Sequence, residues 1–283
     1  MTDRVVSPSI HNVPRLSFIL IIALTAAIIT QSMHESVHAL AMGIVGTGVD
    51  RMQLYAVLGN PVTDPTAQLI IAGGAAIANI VVGLLAVLLY TAFKRAYYAR
   101  LFAMFLAAYM LMAGFGYLFI DSLFYNPTAS FFTDWQYVIH ALGGEWGVRI
   151  PVLIVGVVGL LAVFFWLPNA ALRFVSDPTD KSTRQREMLR LTLIPYIVVN
   201  LTFTLLGVTH PLGAQAVGLV IFPYWFGYIA LFWAYFIGGL WTDVKTPFAD
   251  APRLAARTLP AWMIGTAATA GAICVILVIG LDF

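Results

Sequence analysis

The sequence predicts an all-α integral membrane protein of about seven transmembrane helices, and two observations carry that prediction. The first is composition: 61% of the 283 residues are hydrophobic and 10% are charged, whereas about a quarter of the residues in a soluble domain are charged. The second is the segmentation of the apolar residues. Stretches bounded by charge, proline or glycine fall at 16–45, 67–93, 100–125, 150–168, 189–208, 213–241 and 260–281. A helix needs about 20 residues to cross roughly 30 Å of hydrocarbon, so each stretch is a candidate span.

The first stretch, LSFILIIALTAAIITQSM behind Arg4 and Arg15, is longer than the apolar core of a secretory signal and is followed by six more, so it reads as a retained helix. The basic residues test the assignment, because Lys and Arg are kept on the cytoplasmic side. With the N-terminus inside, thirteen of the fifteen fall on the inner side: Arg4, Arg15, Lys94, Arg95, Arg100, Arg173, Lys181, Arg184, Arg186, Arg190, Lys245, Arg253 and Arg257. Only Arg51 and Arg149 fall outside. The expected topology therefore has the N-terminus inside and the C-terminus outside, and the short loops point to a prokaryotic plasma membrane.

Several classes are set aside. A net charge of +2, with no basic run longer than Lys94-Arg95, gives nucleic acid nothing to bind. Cys274 is the only cysteine, which excludes an intramolecular disulfide and leaves His and carboxylate as the groups able to hold a metal. The polar segment 176–187, SDPTDKSTRQRE, reads as a cytoplasmic loop. The stretch 46–66, GTGVDRMQLYAVLGNPVTDPT, has turn-forming Gly-Asn-Pro and Asp-Pro around a short apolar piece and reads as a strand or re-entrant loop. The chain divides into an N-terminal segment 1–15, a transmembrane core 16–145 and further transmembrane helices 146–283.

Chemistry concentrates at His34-Glu35-Ser36-Val37-His38. At 3.6 residues per turn, positions i and i+4 share a helix face, so two imidazoles can grip one ion while the intervening Glu reaches water beside it. Zinc suits two imidazoles and one carboxylate, with a fourth position left for water. A carboxylate at this depth in a bilayer is costly and marks function by default. The third ligand is open among Asp50, Asp64, Asp121, Asp134 and Glu145. Asp121 lies about 21 residues into the third span, the depth of the motif in the first, so geometry leans to Asp121 over Asp134.

HESVHALAMGIVG resembles the HExxHA segment of the site-2 protease family of intramembrane zinc metalloproteases. IAGGAAIANIVVGLL resembles the Ala-Gly-Pro-x-x-Asn segment of the family's next helix, with Gly74 in place of proline and Asn79 near the polar position. Asn126, Pro127 and Asp134 have the spacing of the third motif, although the usual Leu-Asp-Gly is absent and one proline is missing. The likeness covers about residues 30 to 145. It implies a three-helix metalloprotease core, zinc on His34, His38 and Asp134, and Glu35 as catalytic base. It also implies a transmembrane protein substrate cut within or near the bilayer. The charge bias places these residues toward the outer leaflet, whereas the family usually cuts nearer the cytosol.

The rival reading is a non-catalytic metal-binding membrane protein, either a transporter or a protease-derived scaffold, since transporters also place ionisable residues in spans. Glu35 separates the two, because hydrolysis needs a base beside the ligands. His140 reads as an interfacial residue rather than a partner of Asp134, and His210 as a loop residue. The aromatics of 222–241 read as an interfacial belt, with Gly218, Gly227, Gly238 and Gly239 able to admit close helix packing.

Overall fold

A computed structural model describes residues 14–60, 62–128, 132–208, 225–246, 248, 252 and 258–283. Among the described residues the chain is mainly helical, and six helices there are long and apolar enough to cross a membrane. They run Leu16–Ile44 (α1), Pro65–Ala92 (α2), Tyr97–Leu123 (α3), Trp146–Leu172 (α5), Lys181–Val208 and Ala261–Ile279 (α9). The short helix α4 (Asp134–Ala141) lies between α3 and α5. Helix Lys181–Val208 is composite: α6 (Lys181–Met188), a π segment Leu189–Leu193, and α7 (Ile194–Val208).

One expectation is corrected here, and another lies partly outside the described residues. Much of the polar segment 176–187 is helix rather than loop, because Asp180 accepts the amide of Thr183 at 2.8 Å and starts α6. The expected span 213–241 is described only from Trp225 onward, where α8 (Ile229–Ala234) passes into a π segment, Tyr235–Trp241. His210 and Gly218 lie outside the described residues.

Small residues set the helix spacing by admitting close backbone packing, the device on which helices in lipid depend. A Cβ on Gly114 of α3 would stand 2.9 Å from the Ala76 carbonyl of α2, and one on Gly156 of α5 would stand 2.6 Å from the Phe119 amide of α3. Gly238 gives the same closeness against Met188, whereas nothing stands within 4 Å of a Cβ on Gly227.

The stretch after α1 is a β-hairpin, β1 (Val49–Gln53) and β2 (Ala56–Gly59), with an irregularity between Val49 and Arg51. A two-residue strand β3 (Leu281–Asp282) pairs with the other edge of β1, Met52 against Leu281. This tie puts the end of α9 beside the end of α1. At the opposite end, Arg190 donates to the Pro14 carbonyl at 3.1 Å and the Arg173 guanidinium lies 5.0 Å from the Phe248 ring. Trp225 is held beside α7 by Tyr196, whose hydroxyl donates to its carbonyl at 2.7 Å, while Gly238 reaches Met188 at the end of α6.

Candidate metal centre

Helix α1 is apolar on its outside and polar on one inner stripe. Gln31, His34, Glu35 and His38 recur at i, i+3, i+4 and i+7, the spacing of a single face, and all four are buried. Leu40 and Ile44, at 64% and 70% exposed, turn toward the surroundings of the bundle. The stripe faces α2, α3 and the hairpin, so the polar groups are withdrawn from the outside of the bundle, as ionisable residues in a membrane-crossing helix would have to be.

Asp134 opens α4 and brings its carboxylate to the two histidines. Its Oδ2 lies 3.0 Å from His34 Nε2 and 3.2 Å from His38 Nε2, and the two Nε2 atoms are 3.2 Å apart. Tetrahedral zinc, with bonds of about 2.0 to 2.1 Å, sets its ligand atoms about 3.3 Å apart, so this triangle has the size that the ion needs. His34, His38 and Asp134 thus form a group that could hold a metal ion. With a proton on the Nε2 of His38 or His34, the imidazolium beside Asp134 outweighs the cost of burial and holds its carboxyl well below the usual range.

The outer faces of the imidazoles are also engaged. His38 Nδ1 lies 2.8 Å from the Ile71 carbonyl; that oxygen only accepts, so Nδ1 carries a hydrogen, and in its neutral form the ring turns a bare Nε2 toward Asp134. Asn79 is fully buried and its amide group lies 3.1 Å from His34 Nδ1, with one amide atom, Oδ1, lacking a partner among the described residues. The two ends of an amide are interchangeable in such an assignment; turned over, Oδ1 accepts from Nδ1–H and His34 also presents a bare Nε2. Acceptors behind ligating imidazoles fix tautomer and ring orientation in this way. The Tyr117 ring stacks on His34, centroids 5.0 Å apart and planes 13° off parallel.

Small residues admit these approaches. A Cβ on Gly73 would touch Val138 of α4 at 3.4 Å, and one on Gly74 would touch Val37 of α1 at 3.6 Å. Gly74 therefore stands at the α1–α2 contact beside the site.

Glu35 is fixed by Gln31, whose amide donates to Glu35 Oε1 at 2.8 Å and to the Leu54 carbonyl at 2.9 Å. Leu54 is at the hairpin turn, where its own amide donates to Leu277 of α9 at 3.0 Å, and the neighbouring Tyr55 hydroxyl donates to the Phe203 carbonyl of α7 at 3.0 Å. The C-terminal helices therefore pin the hairpin turn against the HExxH stripe.

The other acids go elsewhere. Asp121 is buried at the end of α3, but its carboxylate turns to the start of α4, accepting from Thr133 Oγ1 at 2.7 Å and the Trp135 amide at 2.8 Å. Asp64 caps α2 through the Ala67 amide, and Glu145 precedes α5. Asn126 closes a local turn on Thr128. His140 is exposed; it meets the Tyr125 hydroxyl at 2.9 Å and stacks on Phe132, with no bond to Asp134.

No protein-family model, curated protein or solved structure matches the chain. Sequence reasoning passed over Gln31, although its place four residues before Glu35 puts it on the same face. It also passed over Tyr117 as a neighbour of His34, for which an apolar span gives no signal.

Proposed function

We propose that the chain is an intramembrane zinc metallopeptidase of the site-2 protease kind, in which His34, His38 and Asp134 hold the ion and Glu35 is the general base. One observation carries this reading: two imidazole Nε2 atoms and one carboxylate oxygen converge at 3.0 to 3.2 Å beside a buried glutamate. Lone pairs facing one another so closely repel unless a cation lies among them. A proton on one Nε2 answers that need only in part, and a metal ion answers it for all three.

Zinc held there would supply Lewis acidity, able to polarise a carbonyl and to make water a competent nucleophile near neutral pH. Glu35, oriented by Gln31, takes the proton from the attacking water and returns it to the departing amine. Asn79 and the Ile71 carbonyl hold the imidazoles in the tautomer that leaves Nε2 free. A substrate helix has its amides closed by hydrogen bonds and must unwind locally to be cut.

The same reading takes seven crossings. Contacts at the two ends support it: α7 ends on the hairpin side and α9 returns to that side, so the chain between them must cross back, and Trp225–Trp241 descends along α7 toward α6. The basic residues gather at the Pro14 and Arg190 end, which the charge rule assigns to the cytoplasm.

The test is Glu35→Gln in lipid nanodiscs, with zinc content and cleavage of a generic transmembrane substrate both measured. Gln fills nearly the same volume, so zinc should stay while cleavage falls by about 10² to 10⁴. Tightly held zinc in the wild type without cleavage of any substrate would favour the non-catalytic rival.

A further inference from the structure

We infer that Asp121 is a positioning residue that sets the third ligand in place. This deepens the reading of His34, His38 and Asp134 as a metal centre and rests on it. Thr133 is the N-cap of α4, yet its side chain makes no capping bond to the helix. Its hydroxyl donates instead to Asp121 Oδ1 at 2.7 Å, and the amide of Trp135, one of the orphan donors of the first turn, goes to Asp121 Oδ2 at 2.8 Å. The cap of α4 is thus supplied by α3. Asp121 is 2% exposed, so both bonds are made in a place where water does not compete.

The two residues gripped are those immediately before and after Asp134. A carboxylate that holds both neighbours fixes the position and the rotation of the residue between them, and so aims Oδ2 at the Nε2 atoms of His34 and His38. Without that grip α4 keeps its apolar contacts through the buried Val138 and Ile139, but its first turn loses the bonds that set its phase. Asp134 sits on a helix of only 8 residues between turns, and such a helix has little intrinsic stability to hold a ligand still.

Partners that orient metal ligands typically contribute about 10- to 100-fold in metal affinity. The experiment uses the full chain in lipid nanodiscs with Co²⁺ as the probe, reading its d–d absorption and its affinity in competition with a chelator. Asp121→Leu removes both acceptors at similar volume and should weaken Co²⁺ binding by about 10- to 100-fold and alter the d–d bands. Asp121→Asn keeps one acceptor oxygen for Trp135 and should recover most of the affinity. Thr133→Val should fall between them.

Wild-type affinity and spectrum in Asp121→Leu would overturn the inference and leave the metal centre standing. Equal losses in Asp121→Asn and Asp121→Leu would overturn the acceptor role. If Asp121→Leu does not fold, Thr133→Val decides, and an unchanged affinity there counts against the inference. Absence of Co²⁺ binding by the wild-type chain would refute the metal reading itself and this inference with it. Metal retained by Asp134→Ala but lost from Asp121→Leu would make Asp121 the ligand.

Discussion

Replacing Gln31 by Leu tests whether the glutamate beside the histidines works as a base. The substitution keeps an apolar stem of similar size and removes the amide that donates to Glu35 Oε1 at 2.8 Å and to the Leu54 carbonyl at 2.9 Å. Gln31 is 8% exposed, Glu35 5% and Leu54 0%, so water is poorly placed to replace the lost donor. A hydrogen bond to a charged group contributes about 1.5 to 3 kcal/mol, or roughly 10- to 150-fold in rate where the bond serves the transition state. Gln31 touches none of the three ligand atoms, so zinc content should stay at the wild-type level. The assay is the initial rate of cleavage of a transmembrane substrate in nanodiscs, normalised to bound zinc. A zinc-normalised rate within twofold of wild type would refute the claim that Glu35 depends on Gln31.

Three further outcomes are expected. His38→Ala and Asp134→Ala should each lose zinc and cleavage together, measured by metal analysis of the purified chain, since two protein ligands hold zinc poorly in an open site. As the pH falls the imidazoles protonate first, and the imidazolium then beside Asp134 holds its carboxyl ionised well below the usual carboxylate range against the opposing effect of burial. Zinc release on acidification from pH 7 should therefore follow protonation of the imidazoles, and a titration of bound zinc whose midpoint lay in strong acid would contradict this. A reporter after Phe283 should read the extracytoplasmic side and one near Lys181 the cytoplasm; the same side for both would discard the seven-crossing arrangement.

The helices were legible because lipid demands long apolar runs, and the polar stripe of α1 because HExxH carries its own periodicity. The choice between Asp121 and Asp134 was not legible from depth. Rise per residue gave Asp121 the right height but could not give its azimuth, and its carboxylate turns to Thr133 and Trp135 instead. Asn126, Pro127 and the spacing to Asp134 pointed to the residue that meets the histidines. The strand β3 left no trace in the sequence, as two residues carry no periodicity and its pairing depends on a partner some 230 positions away. Helix α6 was hidden by its polarity, although Asp180 three residues before Thr183 is a capping signal.

His34 and Asp134 are 100 residues apart in sequence yet 3.0 Å apart in space. Two donor atoms are carried together by the first long helix, and the remaining one exists only after two more long helices have been made and α4 has docked. A three-coordinate grip on an ion is therefore impossible in any nascent chain that stops short of α4. Tenacious metal retention would accordingly report on biogenesis as well as chemistry, distinguishing completed molecules from those still emerging or wrongly inserted.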